Sequence, residues 1–214
     1  MHKIALLFLI TAAGTFGGTL LDEGFSEPQG GRPPNWFSAV ASGSGTLFVV
    51  FGDQIASSAQ SYSEVQLYSP LLTTNGLPLT VTLLHRNNAD RVGGGGTVLE
   101  YSINGNAYQD VLSTYSQFLS GDYNGEVQSP NPLVRTGTFR KAWLGDSQIS
   151  TILITPPSSG TIQFRFALGA SDNTLDNTLQ AVIYHFSVVQ QDPVSGAVPE
   201  PATFLTASMA AVIS

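Results

Sequence analysis

Cysteine is absent from this 214-residue chain. Disulfide staples, thiolate zinc centres and cysteine nucleophiles are thereby excluded. Positive charge is scarce as well: 8 Lys plus Arg stand against 15 Asp plus Glu, for a formal net charge of −7 and a pI near 4.7. This balance argues against nucleic acid, whose binders need a positive face to displace counterions from phosphates, and against anionic membrane surfaces. Only 11% of residues are charged while 42% are apolar. Ser, Thr, Asn, Gln and Gly fill the difference, which is a sheet-and-turn composition. The length fits one domain with appendages, large enough to bury roughly 70% of its unfolded surface without staples.

Long greasy runs are missing too. Met1-His2-Lys3 is followed by Ile4 to Ala13 (IALLFLITAA), which as a helix rises only about 15 Å, half of a ~30 Å hydrocarbon core. A short basic start, an apolar run and small residues in that order predict a secretory signal over residues 1–18, cleaved between Thr15 and Thr19. The competing reading is a buried first strand. At the far end, residues 191–197 (QDPVSGA) form a linker, and Val198-Pro199-Glu200-Pro201-Ala202-Thr203 precedes the short apolar stretch Phe204 to Ile213. The two prolines fix φ and hold the Glu200 carboxylate on an extended segment open to a recognition groove.

This VPEPAT string behind a linker resembles the PEP-CTERM sorting tail of exported Gram-negative bacterial proteins. The resemblance covers residues 198–214. It implies an exosortase-type membrane enzyme as partner, transient membrane contact at the termini, and delivery to the cell envelope or the extracellular matrix. The family's terminal Arg cluster does not follow Ser214, so the sequence reads as truncated there or the tail as non-functional.

Between residues 19 and 190 the apolar residues fall in short β-branched and aromatic blocks: Thr46–Phe51, Val65–Tyr68, Leu79–Leu84, Val98–Ile103, Ile149–Ile154, Ile162–Leu168 and Ala181–Val189. Alternation in Gln163-Phe164-Arg165-Phe166 and in Leu99-Glu100-Tyr101-Ser102-Ile103 predicts strands with one face in the core and one in solvent. Asn104-Gly105 accepts positive φ twice and predicts a type I′ hairpin. Turn clusters between the blocks predict an all-β, antiparallel two-sheet sandwich wound as a jelly roll. Tyr115 to Thr138 shows little periodicity and is expected to be a long loop.

Leu67 to Val189 resembles a MAM-like or lectin-like jelly roll of exported bacterial proteins. The matching residues are Tyr68-Ser69-Pro70, Leu79 to Arg86, Gly95 to Gly105, Tyr123-Asn124-Gly125, Asn131-Pro132-Leu133, Ala142 to Ser147 and Phe164 to Asp172. The acids that the family places on its last strand, part of its calcium chemistry, are missing from Leu179 to Phe186.

Catalytic constellations are thin. Gly145-Asp146-Ser147 matches the start of an esterase motif, but no Asp-x-x-His follows, and His85 and His185 lack an acid at triad spacing. Both histidines read as satisfied sheet residues. Gly93 to Gly96 leads into a strand rather than a helix, so it reads as a hairpin loop and not a phosphate cradle. Paired carboxylates for glycoside hydrolysis would have to come from Asp110, Asp122, Glu126, Asp146, Glu100 and Glu64. No catalytic residue is assigned.

Two ligand classes remain. Asp172, Asn173, Asp176 and Asn177, with Asp90 and Asn87/Asn88, concentrate oxygen donors that suit calcium, or serve as ordinary Asx-turns; no other cofactor is expected. Among the aromatic residues Trp36, Tyr62, Tyr108, Tyr115, Tyr123, Trp143 and Tyr184, most are expected in the core. Tyr115, Tyr123 and Trp143 are the candidates for stacking on sugar rings, with Phe118 in the same loop region and Trp143 better suited to burial. The expected function is a non-enzymatic β-sandwich of the envelope or exopolysaccharide matrix. A carbohydrate-binding module is the alternative and a secreted hydrolase the third reading.

Overall fold

A computed structural model describes residues 18–59, 62–87, 94–171 and 181–192. Every regular element among them is a strand. In chain order these are β1 (Thr19–Glu23), β2 (Phe37–Ser42), β3 (Gly45–Val50), β4 (Ile55–Ala59), β5 (Ser63–Tyr68), β6 (Leu72–Thr74), β7 (Leu79–Asn87) and β8 (Gly95–Ile103). There follow β9 (Gln109–Asp110), β10 (Ser116–Ser120), β11 (Gly125–Gln128), β12 (Phe139–Ala142), β13 (Ser147–Ile154), β14 (Gly160–Ala170) and β15 (Ala181–Gln190). The seven apolar blocks of the sequence fall on β3, β5, β7, β8, β13, β14 and β15.

The first sheet runs β10-β13-β7-β15-β4-β3 with β1 beside β15; the second runs β2-β5-β14-β8-β9 with β6 beside β14. All pairings are antiparallel. Reduced to β4, β5, β7, β8, β9, β13, β14 and β15, the first sheet holds strands first-eighth-third-sixth and the second holds second-seventh-fourth-fifth. That is the jelly-roll winding, so the chain is an all-β antiparallel sandwich of this kind.

The core lies between the sheets because side chains alternate along each strand. In β7, Leu79, Val81 and Leu83 point inward, and they meet Leu67, Leu99, Tyr101, Phe164 and Phe166 from the second sheet. Asn104 and Gly105 have φ of 53° and 72°, and Asn106 N–H donates to the Ile103 carbonyl at 3.1 Å, closing β8 onto β9. The Asn104 side chain accepts from Thr161 N–H at 2.8 Å and ties this turn to β14.

Two expectations are corrected. The segment Tyr115 to Thr138 carries β10 and β11, which short, polar strands concealed from periodicity. The polar face of β8 is not in solvent: Glu100 is 3% and Ser102 5% exposed. The cause is a cap. Strands β11 and β12 form a separate two-stranded sheet, and with loop 129–138 they cover part of the second sheet's outer face. A second small core results, made of Val98, Val127, Leu133, Ala142, Leu144 and Ala167. Gly169 makes the close approach tolerable, since a Cβ there would lie 2.5 Å from Leu133 Cγ and 2.6 Å from Asn131 Oδ1. Asn131, buried, holds the loop down through Nδ2 to the Gly169 carbonyl at 3.1 Å.

Candidate functional site

The register of the second sheet lines up one outward row across five strands: Phe37, Tyr68, Arg165, Glu100 and Asp110 are successive cross-strand partners. Four strand spacings make the row roughly 19 Å long. On one side of it lies the row Ala39, Gln66, Ala167 and Val98, of which Ala167 and Val98 belong to the cap's core. The first row runs along the cap's edge, with Phe37 exposed, Tyr68, Arg165 and Asp110 half-buried and Glu100 buried. A cleft of about 390 Å³ sits at that edge, lined by Glu100, Tyr108, Asp110, Leu112, Leu133, Arg135, Thr136, Phe139 and Arg140.

Its floor is an ion-paired network. Arg140, from the cap, donates through Nε and Nη2 to Asp110 Oδ2 at 3.1 and 2.7 Å, through Nη2 to Glu100 Oε1 at 2.7 Å, and through Nη1 to the Leu133 carbonyl at 3.1 Å. Arg165 donates through Nε to Glu100 Oε2 at 2.6 Å, and its guanidinium lies 4.1 Å from the centroid of the Tyr108 ring. Arg135 donates to Glu64 Oε1 at 2.6 Å and approaches Glu100 Oε1 at 3.9 Å. Burial pushes the Glu100 carboxyl up, but Arg140, Arg165 and Arg135 more than offset it and hold it below the usual carboxylate range. Burial lowers and Glu100 raises both Arg140 and Arg165, with the net displacement upward.

Aromatic groups frame this floor. Phe37 and Tyr68 lie 5.6 Å apart, Tyr68 and Tyr108 meet edge-on at 5.8 Å, and Tyr108 O–H donates to Gln163 Oε1 at 2.7 Å. Tyr108 titrates above its ordinary value because burial and the neighbouring Tyr68 disfavour the phenolate. Phe37 and Phe139 are 59% and 54% exposed. Donors, acceptors and flat apolar faces thus alternate across one open surface, which is what a polyhydroxylated ring needs: hydroxyls bond both signs of partner and the ring's apolar face stacks. A proton donor for bond cleavage would need a raised carboxyl. Glu100 is displaced the other way.

The stacking candidates separate sharply. Trp143 has no exposed surface: it packs on His85, Tyr123, Phe118 and Phe166 with centroids 4.3, 4.7, 5.9 and 6.2 Å away, and its Nε1–H donates to the Gly121 carbonyl at 3.1 Å. A ring enclosed on all sides offers a sugar nothing, so this assignment is corrected. Tyr123 is half-buried, its ring packed against Phe118 and Trp143. Its hydroxyl donates to the Leu99 carbonyl at 3.2 Å, and burial drives it well above the ordinary tyrosine range. Tyr115 is the most open of the three, 41% exposed on the turn into β10 at the edge of the other sheet, beside a separate cavity of about 340 Å³.

Both histidines gained partners that the sequence did not disclose. His85 Nε2 lies 3.0 Å from Ser150 Oγ, which donates to the Gly121 carbonyl at 2.7 Å; His85 is fully buried and its Nδ1 has no partner. His185 Nε2 lies 2.7 Å from Asp22 Oδ1 because β1 pairs with β15, but both side chains are well exposed. Gly145 and Asp146, with φ of 61° and 55°, form the turn into β13. The calcium candidates Asp172, Asn173, Asp176 and Asp90 and the sorting motif Val198 to Thr203 lie outside the described residues. Among the described residues no group of three or more His, Asp or Glu could hold a metal ion.

Local sequence does not disclose the cleft: it marks Glu64, Glu100 and Asp110 only as carboxylates and gives Arg135, Arg140 and Arg165 no role. The alternation in β8 and β14 was the available signal, but strand register alone shows that Arg165 faces Glu100.

Family models and curated proteins gave no match. Solved structures did. The chain is similar to the CBM22-1 xylan-binding domain of Xyn10C from Paenibacillus barcinonensis, at 11% identity over 85% of this chain and 99% of that one, with a TM-score of 0.40. It is similar to the K1 cleaved adhesin domain of Lys-gingipain from Porphyromonas gingivalis W83, at 14% identity, 82% and 100% coverage and a TM-score of 0.43. A CBM4 structure matches at 10% identity, 78% and 97% coverage and a TM-score of 0.38.

Proposed function

We propose that this chain is an exported, non-enzymatic β-sandwich that holds polysaccharide in the cell envelope or the extracellular matrix. One observation carries the binding half of this reading: a cleft over a row of ion-paired and hydrogen-bonding side chains, framed by the exposed rings of Phe37 and Phe139. Rigid aromatics at the rim gain contact area at low entropic cost, and the fixed polar floor is preorganised for hydroxyls. The export half rests on the basic-apolar start and on the resemblance of VPEPAT to the PEP-CTERM tail. That tail would be handled by an exosortase-type enzyme.

The binding half is tested by affinity electrophoresis through gels containing individual polysaccharides. Retardation by at least one polymer is expected, and Phe37→Ala and Phe139→Ala are each expected to weaken it by about five- to tenfold, the worth of one stacking contact. Since both rings are exposed, their truncation leaves the core intact. Migration unaffected by a broad panel, or by the double variant, contradicts the reading. The export half is tested by fractionating cells that express the gene. The product is expected in the envelope or medium without its first residues; a cytoplasmic product beginning at Met1 contradicts it.

A further inference from the structure

Among the cleft's guanidinium groups, two are spent. Arg140 engages Asp110, Glu100 and the Leu133 carbonyl, and Arg165 engages Glu100 and the face of Tyr108; their side chains are 16% and 13% exposed. Arg135 differs. It projects from the cap's loop with its side chain 45% exposed, and the group that holds it is Glu64 on β5, whose own side chain is 4% exposed. Glu64 Oε1 also accepts from Gln66 Nε2 at 2.5 Å, so the carboxylate is fixed from below while the guanidinium reaches it from the solvent side.

The cleft's charge follows by counting. Arg135 and Arg140 stand against Glu100 and Asp110 in its lining, and the pairs reach Arg165 and Glu64 beside it, three against three in the whole network. A ligand carboxylate has one half-exposed cation to approach, and that cation already holds a carboxylate. Drawing Arg135 away would leave Glu64 buried with Gln66 as its remaining partner, and an uncompensated buried charge is strongly unfavourable. A hydroxyl makes no such demand, because it accepts from a guanidinium N–H and donates to a carboxylate without separating them. The protein's net charge of −7 opposes a polyanion further.

Building on the glycan-binding reading, we propose that Glu64 is a built-in occupant of Arg135, filling the place that a ligand carboxylate would take. The cleft is thereby restricted to uncharged polyhydroxylated chains, and uronate-bearing chains are rejected. Glu64 is a specificity determinant that works through Arg135 rather than by contact with the sugar.

The test compares retention on a neutral β-glucan, a neutral xylan, polygalacturonate and alginate, in low and high salt. The parent protein is expected to favour the neutral polymers by about tenfold or more. Glu64→Gln removes the closer of Arg135's two carboxylate partners, leaving Glu100 Oε1 at 3.9 Å, and shifts the local charge by one unit toward positive. It is expected to move the acidic-to-neutral ratio by about tenfold toward the acidic polymers, with the gain lost in high salt, where exposed charges are screened. Adding Arg135→Gln to Glu64→Gln is expected to abolish that gain, which separates a freed guanidinium from a general loosening of the fold. A parent that retains acidic polymers as well as neutral ones, or a ratio unmoved by Glu64→Gln, overturns the proposal while leaving glycan binding intact. Retention of no polymer at all overturns the binding reading and this proposal with it.

Discussion

Trp143→Ala is expected to lower unfolding stability by about 3–5 kcal/mol, the range for deleting a large buried aromatic side chain. The indole is enclosed by four aromatic or imidazole rings from β7, β10, β14 and the Tyr123 segment, so its removal opens a void that no single element can fill. It also joins three layers by hydrogen bonds. Its backbone exchanges bonds with Thr97 at 2.9 and 3.1 Å, its carbonyl accepts from Asn87 Nδ2 at 3.1 Å, and its Nε1–H reaches the Gly121 carbonyl. Trp143→Phe keeps most of the ring contact and is expected to cost less, with the lost Nε1 bond worth about 1 kcal/mol. Urea titration of the three proteins measures both values. Parent-like stability of Trp143→Ala would mean that the ring is not enclosed, and would return it to the list of stacking residues.

Acid is expected to destabilise the protein progressively as pH falls from about 6.5 to about 3. Burial holds the His85 imidazole neutral and lowers its pKa to about 3 in the folded chain, from an ordinary 6.5. Between those values the unfolded chain binds the proton that the folded chain refuses, so stability rises with pH through the window and is lost as pH falls. A displacement of this size corresponds to about 4–5 kcal/mol at its acid end. Glu100 acts in the same direction: its carboxyl is held below its ordinary value, so its contribution is complete above the unfolded pKa and disappears as pH drops through the folded one. His85→Gln, which retains a donor toward Ser150, is expected to flatten the dependence of melting temperature on pH between 6.5 and 4. Each kcal/mol recovered should appear as about 2–4 °C in a domain of this size. A parent protein whose melting temperature is constant over that range, or a variant with the parent's slope, would contradict the assignment.

Strand identity was readable where a strand is long and its faces differ. Leu79 to Leu84 and Gln163 to Phe166 alternate because one side meets the core, and that contrast is written into consecutive residues. Asn104-Gly105 was readable for a separate reason, since few residue pairs accept positive φ twice. Strands β9, β11 and β12 left little trace. Each has two to four residues and no run of apolar positions, and their formation depends on what they pair with rather than on their own pattern.

Glu100 shows where local pattern fails. Alternation correctly sends its side chain out of the main core, but whether that direction leads to water depends on the cap, which arrives from 25 to 42 residues further along the chain. Still longer separations lie between Glu64 and Arg135, 71 positions, and between Asp22 and His185, 163. Trp143 is the inverse case: a residue in an unpatterned stretch that proves to be central.

Composition, turn residues and the two-residue period were enough to establish an all-β antiparallel sandwich, because each depends on neighbours within a few positions along the chain. The cleft, its charge balance and the partners of both histidines arise from register and from the seating of the cap. These bring together side chains that no local rule relates, and so they exist only once the sheets are assembled.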